Sequence, residues 1–208
     1  MSDYKIISSL NEGHKVYLVQ SALSDKVYVQ KILDVYNIRV YESLYRNPVS
    51  GIPRIINYYE DGNQLVVIEE YISGTSLQEK IDNSDLSVSD IRSYMIMLCN
   101  ILEALHSMTP PIIHRDIKPS NIIITSYNYA MLLDFNAAKQ FSGQHESDTV
   151  LIGTPGYAAP EQYGFGSSSP KTDIYSLGIV LREMLGSITP VPDIAPILHR
   201  LNLIAERC

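Results

Sequence analysis

Within eight residues, His114-Arg115-Asp116-Ile117-Lys118-Pro119-Ser120-Asn121 gathers a carboxylate, a cation and a side-chain amide. Asp116 can accept a hydroxyl proton, Lys118 can neutralise a phosphate, and Asn121 can offer its carbonyl to magnesium, a hard cation that prefers oxygen. Such a set suits phosphoryl transfer, which asks for positioning and charge neutralisation rather than covalent help from the protein. The apolar runs Pro111-Ile112-Ile113 and Ile122-Ile123-Ile124 bracket it, so an ordinary polar turn between two strands is the plainer alternative. Asp134-Phe135 downstream supplies a further carboxylate and weighs against that alternative.

The elements that must position these groups change character along the chain. Over the first 70 residues Val16-Tyr17-Leu18-Val19 and Val27-Tyr28-Val29 read as strands, being β-branched and aromatic. A helix is expected from Asp34, as its N-cap, through Tyr45, with Ile38, Glu42 and Tyr45 on its inward face and Asn47-Pro48 ending it. Ile55–Tyr59 and Leu65–Ile68 then form a hairpin across Asp61-Gly62-Asn63. From residue 75 the period turns helical. Thr75-x-x-Gln78 and Ser87-x-x-Asp90 look like helix starts. Ile91, Tyr94, Leu98, Ile101 and Leu105 follow at helical spacing and read as core. Two short strands, Ile122–Thr125 and Ala130–Leu133, precede an aperiodic stretch from Asn136 to Pro170. A helix from Thr172 to Leu185 stops at Gly186, and a last one covers Ile197–Ile204. Strands first and helices after predict an α+β molecule of two lobes, residues 1–72 and 73–208, with a cleft between them.

Composition narrows the class. The chain has 208 residues, 45% hydrophobic and 19% charged, with a net charge of −7. Its Lys and Arg are scattered, which argues against nucleic acid or an anionic membrane surface as a partner. Two cysteines, Cys99 and Cys208, cannot build a disulfide framework; Cys99 falls in the helical apolar pattern and is expected in the core. No apolar run approaches the roughly 20 residues of a membrane span, and the N-terminus lacks a signal-peptide layout. A cytoplasmic protein is the expectation.

His114–Asn121 followed by Asp134-Phe135 resembles the catalytic loop and metal-binding motif of protein kinases. The resemblance covers nearly the whole chain and implies a bilobal kinase-like fold, a small antiparallel β-sheet lobe with one helix and a mainly helical larger lobe. Asp116 would be the base, with Lys118 and Asn121 beside it. Asn121 and Asp134 would hold Mg2+. Lys31, at the end of its strand, stands where kinases place the lysine that contacts ATP phosphates, and Glu42 on the next helix would pair with it. Nucleotide contacts would come from Gly13, Val16, Val29, Glu70, Ile72 and Ile123. Gly153–Glu161 contains the kinase Ala-Pro-Glu motif, and Lys118 with Thr154 resembles the Ser/Thr-specific class. Thr149, then Ser147, is the phosphorylation candidate, and Asp173 would anchor the catalytic-loop backbone.

This implies an ATP- and Mg2+-dependent protein serine/threonine kinase of the eukaryotic-type family, with a bacterial source favoured. Its partner would be a protein bearing a Ser or Thr hydroxyl, with self-association serving autophosphorylation. The sequence also departs from the pattern. Only Gly13 remains of the glycine-rich phosphate loop, Asn136 replaces a glycine, and Val29 an alanine. Glu69 lies where the back of the nucleotide pocket is usually apolar or Thr, so it competes with Glu42 for Lys31, a switch between ordered and disordered sites. Glu161 lacks its motif arginine, with Arg200 as a substitute, and the helical lobe reads as cut short. The alternatives are a pseudokinase, a nucleotide-binding scaffold or sensor without transfer activity, and a small-molecule phosphotransferase of kinase-like fold.

Overall fold

Alternation decides the first seventy-two residues. In a computed structural model of the chain, which describes residues 4–141, 153–164, 166–190 and 192–208, five strands form one antiparallel sheet. They are β1 (Tyr4–Asn11), β2 (Val16–Ser21), β3 (Val27–Leu33), β4 (Ile55–Asp61) and β5 (Gln64–Glu70), in the order β1-β2-β3-β5-β4. On β3 the period of two buries Val29, Lys31 and Leu33 on one face. Directly across on β5 lie Glu69, Val67 and Leu65. This face is therefore apolar except for one lysine and one glutamate.

One helix, α1 (Ile38–Arg46), joins β3 to β4, and it buries Val40, Tyr41 and Leu44. It begins later than the sequence suggested. Asp34 is no cap, because its carboxylate accepts from Lys15 Nζ at 2.8 Å and from Gln64 Nε2 at 2.7 Å. Asn37 caps instead, its side chain accepting from the Arg39 amide at 3.2 Å. The inward face is correspondingly Val40-Tyr41-Leu44 and not Ile38-Glu42-Tyr45. Tyr45 is 47% exposed and meets Tyr58 of β4 edge-on, with ring centroids 5.5 Å apart.

The compact unit Met1–Ile72 is followed by a second, Ser73–Cys208. In it β6 (Gly74–Ser76), β8 (Ile122–Thr125) and β9 (Ala130–Leu132) form a sheet ordered β6-β8-β9, while β7 (Ile112–Ile113) pairs with β10 (Lys139–Gln140). Helices α2 (Leu77–Asp82), α3 (Val88–His106), α4 (Pro170–Gly186) and α5 (Ala195–Ala205) make up the rest. Ser87 and Asp90 do form a reciprocal capping box at the start of α3. The cap of α2 is Ser76, which accepts from the Glu79 amide, while Thr75 belongs to β6 opposite Ile124.

The α3 stripe Ile91, Tyr94, Leu98, Ile101, Leu102 and Leu105 is buried, and α3 packs on α4, whose Leu177, Val180, Leu181 and Met184 face inward. Cys99 follows Leu98 by one residue, a rotation of about 100° off the stripe, and is exposed, contrary to expectation. Among the described residues no helix is long and apolar enough to cross a membrane. The architecture is α+β, an antiparallel sheet unit with one helix and a mainly helical unit.

Candidate active site

The second unit builds its site on the first turn of α4. Asp173 is fully buried there, and both carboxylate oxygens are used. Oδ2 accepts from the His114 backbone N–H at 2.9 Å and lies 2.8 Å from His106 Nε2; Oδ1 accepts from the Arg115 N–H at 2.9 Å. Two consecutive amides bound to one carboxylate fix the path of the chain as it leaves β7. Arg115 takes the left-handed conformation, φ 68°, which turns the loop toward Asp116.

His114 is buried and locked on both ring nitrogens. Nδ1 accepts from the Asp116 N–H at 3.3 Å, so Nε2 carries the proton and donates to Leu133 O at 3.0 Å. Its ring meets Phe135 edge-on at 4.7 Å. Burial pushes the imidazole below its ordinary pKa, against the pull of nearby carboxylates led by Asp173, which keeps this neutral tautomer in place. Histidine here is a brace, tying the Asp116 loop to the Asp134 segment.

Asp116 stands at the centre of a network. Thr154 Oγ1 donates to its Oδ1 at 2.7 Å, Asn121 Nδ2 donates to its Oδ2 at 3.0 Å, and Lys118 Nζ lies 2.9 Å from Oδ2. Lys118 also donates to Thr154 Oγ1 at 2.8 Å, closing a ring of three side chains. Burial alone would raise the Asp116 pKa, but the hydrogen bonds from Thr154 and Lys118 and the Lys118 charge outweigh it, and the carboxyl is held below its ordinary value. The group is a carboxylate at neutral pH, with one hydrogen bond on Oδ1 and acceptor capacity left.

Asn121 uses only Nδ2 in these bonds, to Asp116 Oδ2 and to the Asp116 carbonyl at 2.9 Å. Its Oδ1 carries none of them. Leu133 N donates to Asn121 O at 2.8 Å, which ties the residue before Asp134 to Asn121. Asp134 itself takes φ 69°, and its Oδ1 is buried and receives no hydrogen bond among the described residues. An amide carbonyl and a carboxylate are the oxygen donors Mg2+ takes when it keeps waters and phosphate oxygens as its other ligands. Among the described residues no three His, Cys, Asp or Glu side chains converge on a metal position. The donor set therefore fits a shared metal and not a protein-caged one.

Asn136, in the place of a glycine, lies in a 3-10 turn, Phe135–Ala137, and the positive φ of this segment falls on Asp134. The acid Glu161 accepts a 2.6 Å hydrogen bond from Thr172 Oγ1, and Arg200, exposed on α5, is not its partner. Two positioning residues escaped sequence reading. His106 completes the Asp173 cluster, and Gln162 donates from Nε2 to the Arg115 carbonyl at 2.7 Å while accepting from the Ala159 N–H at 2.9 Å. Position beside the Ala-Pro-Glu run was the available signal for Gln162; nothing local marks His106. Gly153, at φ 115°, abuts this contact: a Cβ there would lie 2.7 Å from Gln162 Nε2.

In the first unit, Lys31 Nζ lies 2.8 Å from Glu69 Oε1, and both side chains are 8% exposed. Glu42, expected to be that partner, is paired with Arg46 at 2.6 Å on the outer face of α1. The expectation fails because Val40, Tyr41 and Leu44 take the inward face of α1, leaving Glu42 39% exposed. Val29 is buried beside Lys31, Val16 is partly buried on β2, Glu70 ends β5, and Ile72 lies two residues beyond it. Glu70 N donates to Arg54 O at 2.9 Å. Gly13 sits exposed in the β1–β2 turn, where Lys15 and not Gly13 takes the positive φ of 52°. Ile123 lies on β8, partly buried. Thr149 and Ser147 lie outside the described residues.

Comparison with known proteins agrees with this architecture. A profile of the protein kinase domain matches residues 7–205. A leucine-rich repeat receptor-like serine/threonine-protein kinase of Arabidopsis thaliana is 34% identical over 151 residues, 69% of this chain and 17% of its own length. A receptor-like protein kinase of the same plant is likewise 34% identical over 151 residues, with the same coverage. Serine/threonine-protein kinase D of Synechocystis is 36% identical over 149 residues, 68% of this chain and 28% of its own. The chain spans between a sixth and a third of these relatives' lengths. It belongs to the protein kinase domain family.

Proposed function

We propose that this chain is a protein serine/threonine kinase domain, transferring the γ-phosphoryl group of ATP to a Ser or Thr hydroxyl of a protein. The observation that carries the reading is the Asp116 carboxylate, held ionised while bonded to Lys118, Asn121 and Thr154. The substrate hydroxyl oxygen attacks the γ-phosphorus, the bond to the β–γ bridging oxygen breaks, ADP leaves, and the hydroxyl proton passes to Asp116. Lys118 lies close enough to Asp116 to offset charge on the transferred phosphoryl group. Mg2+, held by Asn121 Oδ1 and Asp134, would neutralise phosphate charge. Lys31 would bind the α- and β-phosphates, and Val16, Val29, Ile123 and the Glu70–Ile72 stretch would line the adenine site with Gly13 near the phosphates.

Thr154 supports Ser/Thr over Tyr substrates, because its bonds to both Asp116 and Lys118 tie the motif before Ala-Pro-Glu directly to the base. A protein substrate and self-association for autophosphorylation are part of the same proposal. A nucleotide-binding domain without transfer is the second reading, favoured by the turning away of Glu42 from Lys31. Incubation with labelled ATP, Mg2+ and generic protein substrates separates them: label on Ser or Thr that vanishes in Asp116→Asn supports the kinase. Binding of ATP with no transfer by the wild type supports the second reading.

A further inference from the structure

Resting on the kinase reading, we propose that Glu69 of β5 is the positioning residue for Lys31 in this chain, a role Glu42 does not share. The register of the sheet dictates the pair. Lys31 lies opposite Val67 and Val29 opposite Glu69, so Glu69 is the diagonal neighbour of Lys31 on the same face. That face is otherwise Val29, Leu33, Leu65 and Val67, all buried. An ammonium desolvated among these side chains requires a carboxylate within hydrogen-bond reach, and Glu69 supplies it at 2.8 Å.

Glu42 is committed elsewhere. Its carboxylate binds Arg46 one helical turn on, at 2.6 Å and partly in solvent. The distinction has a mechanical consequence. A carboxylate carried by a helix reaches a strand lysine only when the helix is correctly seated, whereas β3 and β5 are joined by a continuous ladder from Tyr28 to Leu33. Glu69 thus orients Lys31 whatever the seating of α1. A Glu at this position, which the sequence makes look like a defect of the nucleotide pocket, becomes the replacement for the helix acid.

The test measures the dissociation constant for ATP with Mg2+, together with kcat and the KM for ATP, in wild type, Glu42→Gln, Glu69→Gln and Glu69→Asp. Glu42→Gln is expected to stay within about twofold of wild type in every parameter. Glu69→Gln should weaken ATP binding and raise the KM by about tenfold or more. Glu69→Asp, which keeps the charge on a shorter stem, should fall between the two. A thermal melt of each variant shows whether it is folded; if Glu69→Gln is not, a several-fold loss in folded Glu69→Asp carries the test. A tenfold loss in Glu42→Gln overturns the proposal, and so do wild-type ATP parameters in Glu69→Gln or, where that variant is unfolded, in Glu69→Asp. Binding is read apart from transfer, so a chain that binds ATP without transferring phosphate defeats the kinase reading alone. Asp116-dependent transfer with no Glu69 effect defeats this inference alone.

Discussion

Thr154 does two things at once for Asp116: it donates to Oδ1 and it holds Lys118 in place. Removing the hydroxyl should therefore change how the base titrates. Because its bonds depress the Asp116 pKa, Thr154→Val raises it; a hydrogen bond to a charged group is worth about 1.5–3 kcal/mol. The sign is fixed. A depressed carboxyl is active above its pKa and loses activity as pH falls through it, so the acid limb of kcat/KM against pH moves upward in the variant. An unmoved limb would show that Asp116 does not set it. At this scale the sequence was informative where chemistry follows residue type, as at Asp116, Lys118 and Asn121. It was less decisive where long-range geometry chooses the partner. Glu69 was legible as a competitor of Glu42 for Lys31, but the choice falls to strand register, a relation between residues thirty-eight positions apart.

Among the elements, the first turn of α4 matters most, since one buried carboxylate orders the loop that carries the base. Asp173→Ala would strip the His114 and Arg115 amides of their acceptor inside the protein, and a loss of about 3 kcal/mol or more is expected. Chemical denaturation should show a lower midpoint with an unchanged slope. Gly153→Ala tests the adjoining corner. Its positive φ and the close approach of Gln162 predict a loss of about 1–3 kcal/mol, read the same way. Element existence was largely readable from periodicity, as the α3 stripe and the Ser87–Asp90 capping box illustrate. Boundaries were less so. Asp34 has the chemistry of a helix cap, yet Lys15 and Gln64 claim its carboxylate, and α1 waits for Asn37. Nor does residue type decide which positions turn left-handed: Asp134 and Lys15 take positive φ, while the neighbouring Asn136 and Gly13 do not.

For the whole chain, the strand-rich start and helix-rich remainder of the sequence correspond to a five-stranded sheet unit and a mainly helical unit. A net charge of −7 with dispersed basic residues predicts no retention on heparin at about 0.15 M salt; salt-dependent retention would reveal a basic surface that the sequence does not suggest. Family membership rests on nearly the full length, residues 7–205. What the domain phosphorylates is a separate matter, because the match covers only 28% of the length of the Synechocystis kinase. The central claim is that Asp116 serves as the base of a phosphoryl transfer to Ser or Thr. Phosphoamino-acid analysis after incubation of wild type and Asp116→Asn with labelled ATP and Mg2+ tests it most directly. The account predicts phosphoserine or phosphothreonine in the wild type and a loss of about a hundredfold or more in the variant. Equal labelling of the two proteins, or label confined to tyrosine, would contradict it.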